Sequence, residues 1–472
     1  MKETCETNNH GQNKIHIPPK LPNSLAKKTC SPLWKKIIQA IENKDVETVF
    51  EFVQSIDRQQ DVLCLPHPFI DNIETFPSKS VREGMCNFIF FHDTSGQHQW
   101  ILCQCTSFVD AIFSETFSGK HKASTTENVI LNAAKKVAKN EEKNEARQLK
   151  HKKAIFSGYL LDQTRPYHHF YDQLKWLVSL KTKKAIVSNK SFFAPRYLTK
   201  RTSSTEGIHS FSIFPLVIGS NQLGIKLDEY SDTMEEIVLK DSLQSMRGGT
   251  VKHRWNRFVQ KIKRISRRNR TLTLWFGISG QKRIWLEQED FLPNLVQQLG
   301  PWFDSFVFLI DGFTQYEYTN SSPQEDPEST GISQDRDIVR SIKKKLLPFP
   351  NASVINLVGK TYREKIQRCQ SVDFFIANAG AGQLIPHRFC KKSGILHSNE
   401  KHCVFSMGIN NKSVKLVDKL LVEDVGNLFA KGKNKKANLK GVGFISYSIN
   451  VQTVIDMVKE MLHLHERKIG PS

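Results

Sequence analysis

Apolar and polar positions follow two different periods along this chain, and the period changes near residue 154. Within 31–56, apolar side chains recur at helical spacing, which predicts a helix. The apolar runs 87–91 and 100–105 flank the turn-forming residues 93–96, which predicts a β-hairpin. The charged segment 124–152 is expected to form a long helix.

From residue 154 onward, short apolar runs alternate with helical segments. The predicted strands are 154–161, 184–188, 211–218, 271–278, 303–310, 352–358, 372–377, 394–398 and 443–447, and the predicted helices are 166–180, 290–299, 338–347, 362–369 and 451–465. This alternation is typical of a mostly parallel α/β sheet. Because it restarts at residue 271, we expect an α/β fold of two doubly wound, Rossmann-like domains that face a cleft.

The same pattern gives the expected domain organisation. Residues 1–28 are polar and aperiodic, which predicts a mobile, disordered tail. An N-terminal α/β domain is expected over 29–250, a basic amphipathic helix or linker over 251–270, and a C-terminal α/β domain over 271–472.

The excess of basic residues bears on which partners the chain could bind. The chain has 68 Lys and Arg against 47 Asp and Glu, a net charge of +21. Residues 251–270 contain nine Lys and Arg and no acid, with an apolar stripe that includes Trp255 and Ile262. Such a helix either packs its stripe on the fold or lies near an anionic membrane or phosphate. Nucleic acid is disfavoured as a partner, because no zinc spacing, RNP-like motif or helix-turn-helix signal is present.

Two further features concern location. No apolar run reaches the roughly 18 residues of a membrane span, and the first 30 residues lack the apolar core of a signal peptide. We therefore expect a cytoplasmic chain that attaches reversibly to an anionic membrane face, through 251–270 and the lysines Lys431, Lys433, Lys435 and Lys436. The nine cysteines include no C-x-x-C pair, which argues against a disulfide framework and a structural zinc site.

One candidate catalytic constellation lies at the start of the helix predicted for 166–180. His168 and Asp172 are four residues apart, so one helix face holds both, and a carboxylate beside an imidazole orients a general base. His169 is also a candidate but points about 100° away on an α-helix. The alternative is a capped helix start with one histidine in a polar contact. His92 and Asp93, after the first hairpin strand, are the next candidates for the base.

A second constellation follows the strand predicted for 372–377. The small residues Asn378, Gly380, Ala381 and Gly382 form a turn in which exposed backbone N–H groups attract phosphate. The pattern is not G-x-G-x-x-G, because Ile385 occupies the third glycine position. Four cations lie after predicted strands and could neutralise phosphate, although each is individually more typical of a surface charge: Lys282, Arg283, Lys360 and Arg363.

These motifs resemble a known family. The segments R-P-Y-H-H-F-Y-D-Q-L at 165–174, N-A-G-A-G-Q-L at 378–384 and K-S-G-I-L-H at 392–397 are similar to motifs of two-domain, GT-B-type glycosyltransferases, in particular family 61. The resemblance covers about residues 154–400. It departs from the family where Gln383 stands in place of Leu and where Ser393-Gly394 replaces Pro-Gly. The segment 358–361 is also similar to one in bacterial heptosyltransferases.

The resemblance implies transfer of a sugar from a nucleotide-sugar donor to a hydroxyl acceptor on a glycan, glycolipid or protein, as in surface polysaccharide, lipopolysaccharide or glycoconjugate synthesis. His168 would be the base and Asp172 its partner. The second domain would hold the donor, with Gly380 to Gly382 against its phosphates, without a metal or other cofactor. The D-x-D triplet 335–337 is explained by helix capping rather than by a metal. Two alternatives remain open: a nucleic-acid-binding protein and a catalytically inactive sugar-phosphate binder of the same fold.

Overall fold

The chain forms two compact units, Met1–Met234 and Glu235–Ser472. The structure is a computed structural model, and it describes residues 15, 17–59, 63–120, 127–144, 153–161, 163, 165–187, 191–202, 210–214, 228–244, 270–317, 329–403, 413–426, 428 and 444–464. The division between the units falls within a helix, earlier in the sequence than the predicted linker. Of the basic segment 251–270, all but Arg270 lie outside the described residues, as do Lys431, Lys433, Lys435 and Lys436.

The first unit begins with helices and an antiparallel sheet. The helices are α1 (Leu25–Lys28), α2 (Pro32–Asn43), α3 (Val46–Gln59) and α4 (Glu127–Asn144). The sheet has six strands, which pair in chain order: β1 (Leu65–Pro66), β2 (Glu74–Glu83), β3 (Cys86–His92), β4 (Gln99–Gln104), β5 (Ala111–Ser114) and β6 (Ser118–Lys120). The predicted hairpin is confirmed as β3 and β4, but the rest of this sheet was not predicted. The first unit therefore contains an antiparallel sheet that a doubly wound domain would not require.

Alternation along β3 explains why that hairpin is so apolar. Phe88 packs with α4 residues such as Ile130 in one buried cluster. Phe91 points to the opposite face, where its ring stacks on Trp100 at 4.1 Å, and Trp100 in turn contacts Trp34 of α2. Helices therefore cover both faces of the sheet, and both faces of the strand are buried.

A second sheet of the first unit is parallel and carries the first candidate site. Its strands are β7 (Ile155–Leu161), β8 (Lys184–Val187), β9 (Thr199–Thr202) and β10 (Ser210–Ile213), in the spatial order β10-β7-β8-β9. The connection from β7 to β8 is helical, as the sequence predicted. It consists of α5 (Pro166–His168), a π-helix over His169–Leu174, and α6 (Lys175–Ser179).

The second unit is built on one six-stranded parallel sheet. Its strands are β11 (Thr271–Gly277), β12 (Ser305–Asp311), β13 (Ala352–Asn356), β14 (Phe374–Asn378), β15 (Ser393–His397) and β16 (Val414–Leu416), in the order β13-β12-β11-β14-β15-β16. This is the strand order 3-2-1-4-5-6 of doubly wound sheets, in which ligands bind outside the carboxyl ends of the strands. A smaller antiparallel pair consists of β17 (Glu423–Gly426) and β18 (Ser446–Ser448).

Helices connect and cover these strands. Helix α7 (Asp228–Gln244) spans the division between the units, and it is followed by α8 (Gln288–Leu299), α9 (Ser329–Lys345), α10 (Tyr362–Cys369), α11 (Glu400–Cys403) and α12 (Val451–Met461). A large buried cluster joins the sheet to α8, α9 and α12 through residues such as Phe276, Phe291 and Val454. The mixed α/β class with parallel sheets is thus confirmed.

Two sequence predictions need correction. Residues 17–28 were expected to belong to a disordered tail, yet Leu21 and Leu25 are buried. Leu21 packs in the same apolar cluster as Phe88 and Ile130, and its amide donates a hydrogen bond to Glu127 at 2.9 Å. Residues 1–14 and 16 lie outside the described residues. The D-x-D triplet was expected to open a helix, but α9 already begins at Ser329, so the triplet lies within the helix.

Candidate functional site

The first group of candidate residues forms a histidine–carboxylate pair. His168 ends α5, and its Nδ1 contacts the Oδ2 of Asp172. The His168 side chain is 45% exposed, whereas the Asp172 side chain is only 10% exposed. If Nδ1 carries the proton donated to Asp172, the Nε2 lone pair is left available. This arrangement can accept a proton from a hydroxyl.

The backbone around this pair is unusual. Pro166 starts α5 after the extended residue Arg165, and the helix then continues as the π-helix His169–Leu174. Segments of π-helix are rare and occur frequently at functional sites. The π-helical segment contains Asp172, whose second carboxylate oxygen, Oδ1, is buried without a hydrogen-bond partner. The pair is therefore held in a local conformation that ordinary helix formation would not favour.

The other candidate bases of the first unit, His169, His92 and Asp93, make contacts outside the His168–Asp172 pair. His169 is fully buried, with its Nε2 2.7 Å from the carbonyl oxygen of Phe193. Burial lowers the pKa of His169 to about 4, so this ring is a neutral packing element. His92 is also buried, and its Nδ1 lies 2.7 Å from the carbonyl oxygen of Asp93. Asp93 accepts hydrogen bonds from Ser95 and His98 within its own turn.

The second candidate group lies at the carboxyl end of β14. Asn378 ends this strand, and its Oδ1 accepts a hydrogen bond from the Gly380 amide at 3.0 Å. A short 3₁₀-helix over Ala381–Gln383 follows, and a second π-helix over Leu384–Phe389 continues it. Among the described residues, a Cβ atom at Gly382 would meet the Asn378 Cβ alone, at 3.5 Å. At Gly382 the turn thus leaves room for an approaching group.

Arg283 lies against this turn. A Cβ atom added to Gly380 would lie 2.8 Å from Nη1 and 2.9 Å from Cζ of Arg283, so only glycine lets the guanidinium lie so close to the backbone. The structure therefore brings together Arg283 and the Gly380 turn, which are distant in sequence and which were both predicted as phosphate ligands.

The charge of Arg283 has no counter-charge among the residues that the structure describes. Its side chain is partly buried, and its Nε has no hydrogen-bond partner. Burial lowers the pKa of Arg283. The pKa of His402 is lowered to about 4, first by burial and then by the nearby charge of Arg283. Arg283 also has a positive φ of 51°, a conformation that is costly for a residue with a Cβ. An unpaired cation in a strained loop at the end of a parallel sheet is suited to binding an anion.

The three other predicted phosphate ligands differ from Arg283. The Arg363 guanidinium is occupied by two carboxylates, Asp241 at 2.9 Å and Glu317. Lys360 pairs with Glu364 at 3.2 Å, and Glu364 belongs to the capping box that begins α10. Lys282 is exposed and lies 5.0 Å from the Phe444 ring. The guanidinium of Arg363 is therefore engaged in ion pairs within the fold, and Lys360 is a surface charge next to a helix cap.

The D-x-D triplet is also structural. Asp335 is buried and accepts hydrogen bonds from the amides of Gly280 at 2.7 Å and Phe313 at 2.6 Å, so it joins the loops that follow β11 and β12. Burial raises its pKa to about 6. Asp337 is exposed and pairs with Arg340. The carboxylates of Asp335 and Asp337 thus make separate contacts.

Two residues next to the Gly380 turn were missed by the sequence analysis. Tyr447 of β18 and His397 at the end of β15 are both buried, and they form a hydrogen-bonded chain with Asn378. His397 ends the K-S-G-I-L-H segment, so its position after a strand was a signal that could have found it. Tyr447 carries no local signal, because it reaches the turn from a different sheet.

Comparisons with known proteins do not identify this site. No protein-family model matches the chain, and no curated protein matches it either. Within the described ranges, no group of three or more His, Cys, Asp or Glu side chains is placed to hold a metal ion. Over the same residues, none of the helices has the length and apolar character needed to cross a membrane.

Proposed function

We propose that the chain is a GT-B-type glycosyltransferase that moves a sugar from a nucleotide-sugar donor to a hydroxyl of a glycan, glycolipid or protein. The observation that carries the proposal is the His168–Asp172 pair. Its imidazole is half exposed, its carboxylate is nearly covered, and no described residue occupies Nε2. In this role His168 removes the proton of the acceptor hydroxyl, and Asp172 holds the ring tautomer and stabilises the imidazolium.

The second unit would bind the donor. Its strand order supports a Rossmann-like domain, and its Gly380 turn lies at the carboxyl end of β14, where ligands of such sheets bind. Arg283, which has no carboxylate partner among the described residues, supplies a positive charge beside this turn. A diphosphate leaving group develops negative charge during transfer, and a preorganised cation stabilises that charge. In this proposal Arg283 takes the place of a metal ion, while Asn378, Ala381 and Gly382 shape the turn.

The first experiment identifies the donor. A panel of nucleotide sugars is screened by thermal unfolding of the full chain, since a ligand that binds the folded state raises the melting temperature by mass action. We expect one nucleotide class to raise it. Turnover is then measured as nucleotide released from that donor. A panel without any shift would contradict the proposal, and a shift without turnover would favour the inactive sugar-phosphate binder.

The second experiment tests the base. His168→Ala should lower turnover by roughly 10²–10⁴-fold while donor binding persists, and Asp172→Asn should lower it less. His98→Ala is the matched control, because His98 is a partly exposed histidine of the same unit outside the pair. Wild-type turnover in His168→Ala would show that the base is another residue.

A further inference from the structure

A buried tyrosine connects the two halves of the proposed anion site. Tyr447 is fully buried in β18. Its backbone pairs with the residues that directly follow Arg283: the Tyr447 amide donates to Ile284 at 2.9 Å, and the Leu286 amide donates to the Tyr447 carbonyl at 3.0 Å. The backbone of Tyr447 thus holds the loop that carries Arg283.

The hydroxyl of the same tyrosine contacts the other half of the site. Asn378 Nδ2 donates to the hydroxyl at 3.1 Å, and the hydroxyl lies 2.8 Å from His397 Nδ1. Burial lowers the pKa of His397 to about 3, so the ring is neutral. In the tautomer that carries its proton on Nε2, Nδ1 accepts the tyrosine proton, and the chain runs from Asn378 through Tyr447 to His397.

Two hydrogen bonds orient the Asn378 amide. With Nδ2 directed at Tyr447, the amide oxygen faces the Gly380 N–H, to which it is hydrogen-bonded at 3.0 Å. Gly380 is the residue against which the Arg283 guanidinium lies. Without the tyrosine hydroxyl, Asn378 Nδ2 loses its acceptor, and the side chain that accepts from the Gly380 amide is held by one hydrogen bond fewer.

We propose that Tyr447 is a positioning residue that sets the distance between the Arg283 guanidinium and the Gly380 turn, through its backbone pairing on one side and the Asn378–Tyr447–His397 chain on the other. The inference rests on the proposed function, because it assumes that these two elements bind the phosphates of the donor. Tyr447 itself does not contact the ligand. Its effect is on the geometry of the groups that do.

The test uses inorganic pyrophosphate as the probe and titration calorimetry of the full chain at fixed salt. Tyr447→Phe should weaken pyrophosphate binding by roughly threefold to tenfold, as expected for lost hydrogen bonds. Tyr159→Phe is the matched control, since Tyr159 is equally buried but belongs to the first unit, and its hydroxyl makes only a long 3.5 Å contact with Val53. This control should bind like the wild type.

A double-mutant cycle separates positioning from general destabilisation. Asn378→Ala interrupts the same chain, so adding Tyr447→Phe to it should weaken binding no further. Additive losses would overturn the inference. If Tyr447→Phe does not fold, Asn378→Ala alone must still weaken binding while its melting temperature without ligand stays near that of the wild type, and unchanged affinity would overturn the inference.

Arg283→Asn distinguishes a failure of the proposed anion site from a failure of the positioning role of Tyr447. If the wild type does not bind pyrophosphate, or Arg283→Asn binds it as well as the wild type, the proposed anion site fails, and the inference fails with it. If Arg283→Asn abolishes binding but Tyr447→Phe retains wild-type affinity, the anion site stands and only the role of Tyr447 is rejected.

Discussion

Arg283 combines two costs that a purely structural residue would avoid. Its backbone is in the left-handed region, and its partly buried guanidinium has no counter-charge among the described residues. Each of these features typically costs on the order of 1–3 kcal/mol. Residues that lower the stability of a fold in this way are commonly functional, because the residue that suits activity is often not the residue that gives the most stable fold.

Replacing Arg283 should therefore stabilise the fold while abolishing anion binding. Arg283→Asn removes the charge and keeps a residue that tolerates positive φ, so the free energy of unfolding should rise by about 1 kcal/mol. Lys181→Asn is the control, because Lys181 also has a positive φ, of 53°, but is exposed in the first unit. Urea unfolding and pyrophosphate titration measure the two effects. A destabilised Arg283→Asn variant would show that the guanidinium is structural.

Gly380 offers a second test of the same contact. In Gly380→Ala the added Cβ overlaps the Arg283 guanidinium, so the side chain must move and pyrophosphate affinity should fall by roughly tenfold or more. Gly300→Ala is the control, because its Cβ would be 3.4 Å from the nearest atom, the Val296 carbonyl oxygen, which is ordinary contact. Equal affinities of the two variants would argue against a close guanidinium at the turn.

At the scale of elements, the sequence predicted those helices and strands whose formation depends on neighbouring residues in the chain. The helix over 362–369 was predicted with its observed bounds, and in the structure Thr361 and Glu364 form a capping box at its first turn. Five of the six parallel strands of the second unit overlap predicted strands, because they are short apolar runs, whereas β16 was not predicted. By contrast, β2 reads Glu-Thr-Phe-Pro-Ser-Lys-Ser-Val-Arg-Glu, which has no apolar run, and it is a strand through its pairing with β1 and β3.

In the candidate sites too, contacts between residues close in sequence were predicted, and contacts between distant residues were not. His168 and Asp172 are four residues apart, and residues 378–382 are contiguous, so sequence spacing was enough to predict both groups. The contact between Arg283 and Gly380 depends on the order of strands in the sheet, and the Tyr447 contact depends on a strand outside it. Neither contact can be read from spacing alone.

Asp335 joins two loops, and its titration should be visible in stability. Its folded-state pKa, about 6, lies above the usual value for an aspartate, near 3.9. The proton therefore binds the folded state more tightly, and this stabilisation is complete below pH 4 and lost as the pH rises through 6. We expect the unfolding free energy of the wild type relative to Asp335→Asn to fall by on the order of 2–3 kcal/mol from pH 4 to 7.

Urea unfolding at pH 4, 5, 6 and 7 measures this difference. Asp337→Asn, exposed on the same helix, is the control: it keeps the Asp335 carboxyl, so the fall that Asp335 causes should remain in this variant. A constant difference for Asp335→Asn would mean that the carboxyl group titrates normally.

At the scale of the whole molecule, the second half of α7 belongs with the second unit. Glu235 accepts ion pairs from Arg388 at 2.8 Å and Lys391 at 2.5 Å, and Asp241 pairs with the nearly buried Arg363 at 2.9 Å. Val238 is fully buried on the same helix. A C-terminal domain that begins at 271, as the sequence suggested, would leave out these contacts.

A pair of fragments tests this assignment. The fragment 235–472 should have a higher unfolding midpoint in urea than 271–472, because the shorter one leaves Arg363 without Asp241 and exposes the surface that Val238 covers. Asp241→Asn in the longer fragment should remove part of the difference. Glu236→Gln, which breaks an exposed pair with Lys240 on the same helix, should change little. Equal midpoints of the two fragments would reject the assignment.

The two π-helical segments, His169–Leu174 and Leu384–Phe389, have a consequence for evolutionary comparison. A π-helix closes its hydrogen bonds from i to i+5, one residue further along than an α-helix, so each segment behaves as an α-helix that has gained one amino acid. If the proposed activity depends on these segments, a homologue that lacks the activity would be free to lose that amino acid. Aligned with this chain, such a homologue should show single-residue deletions within 169–174 and 384–389, even where the flanking residues are unchanged.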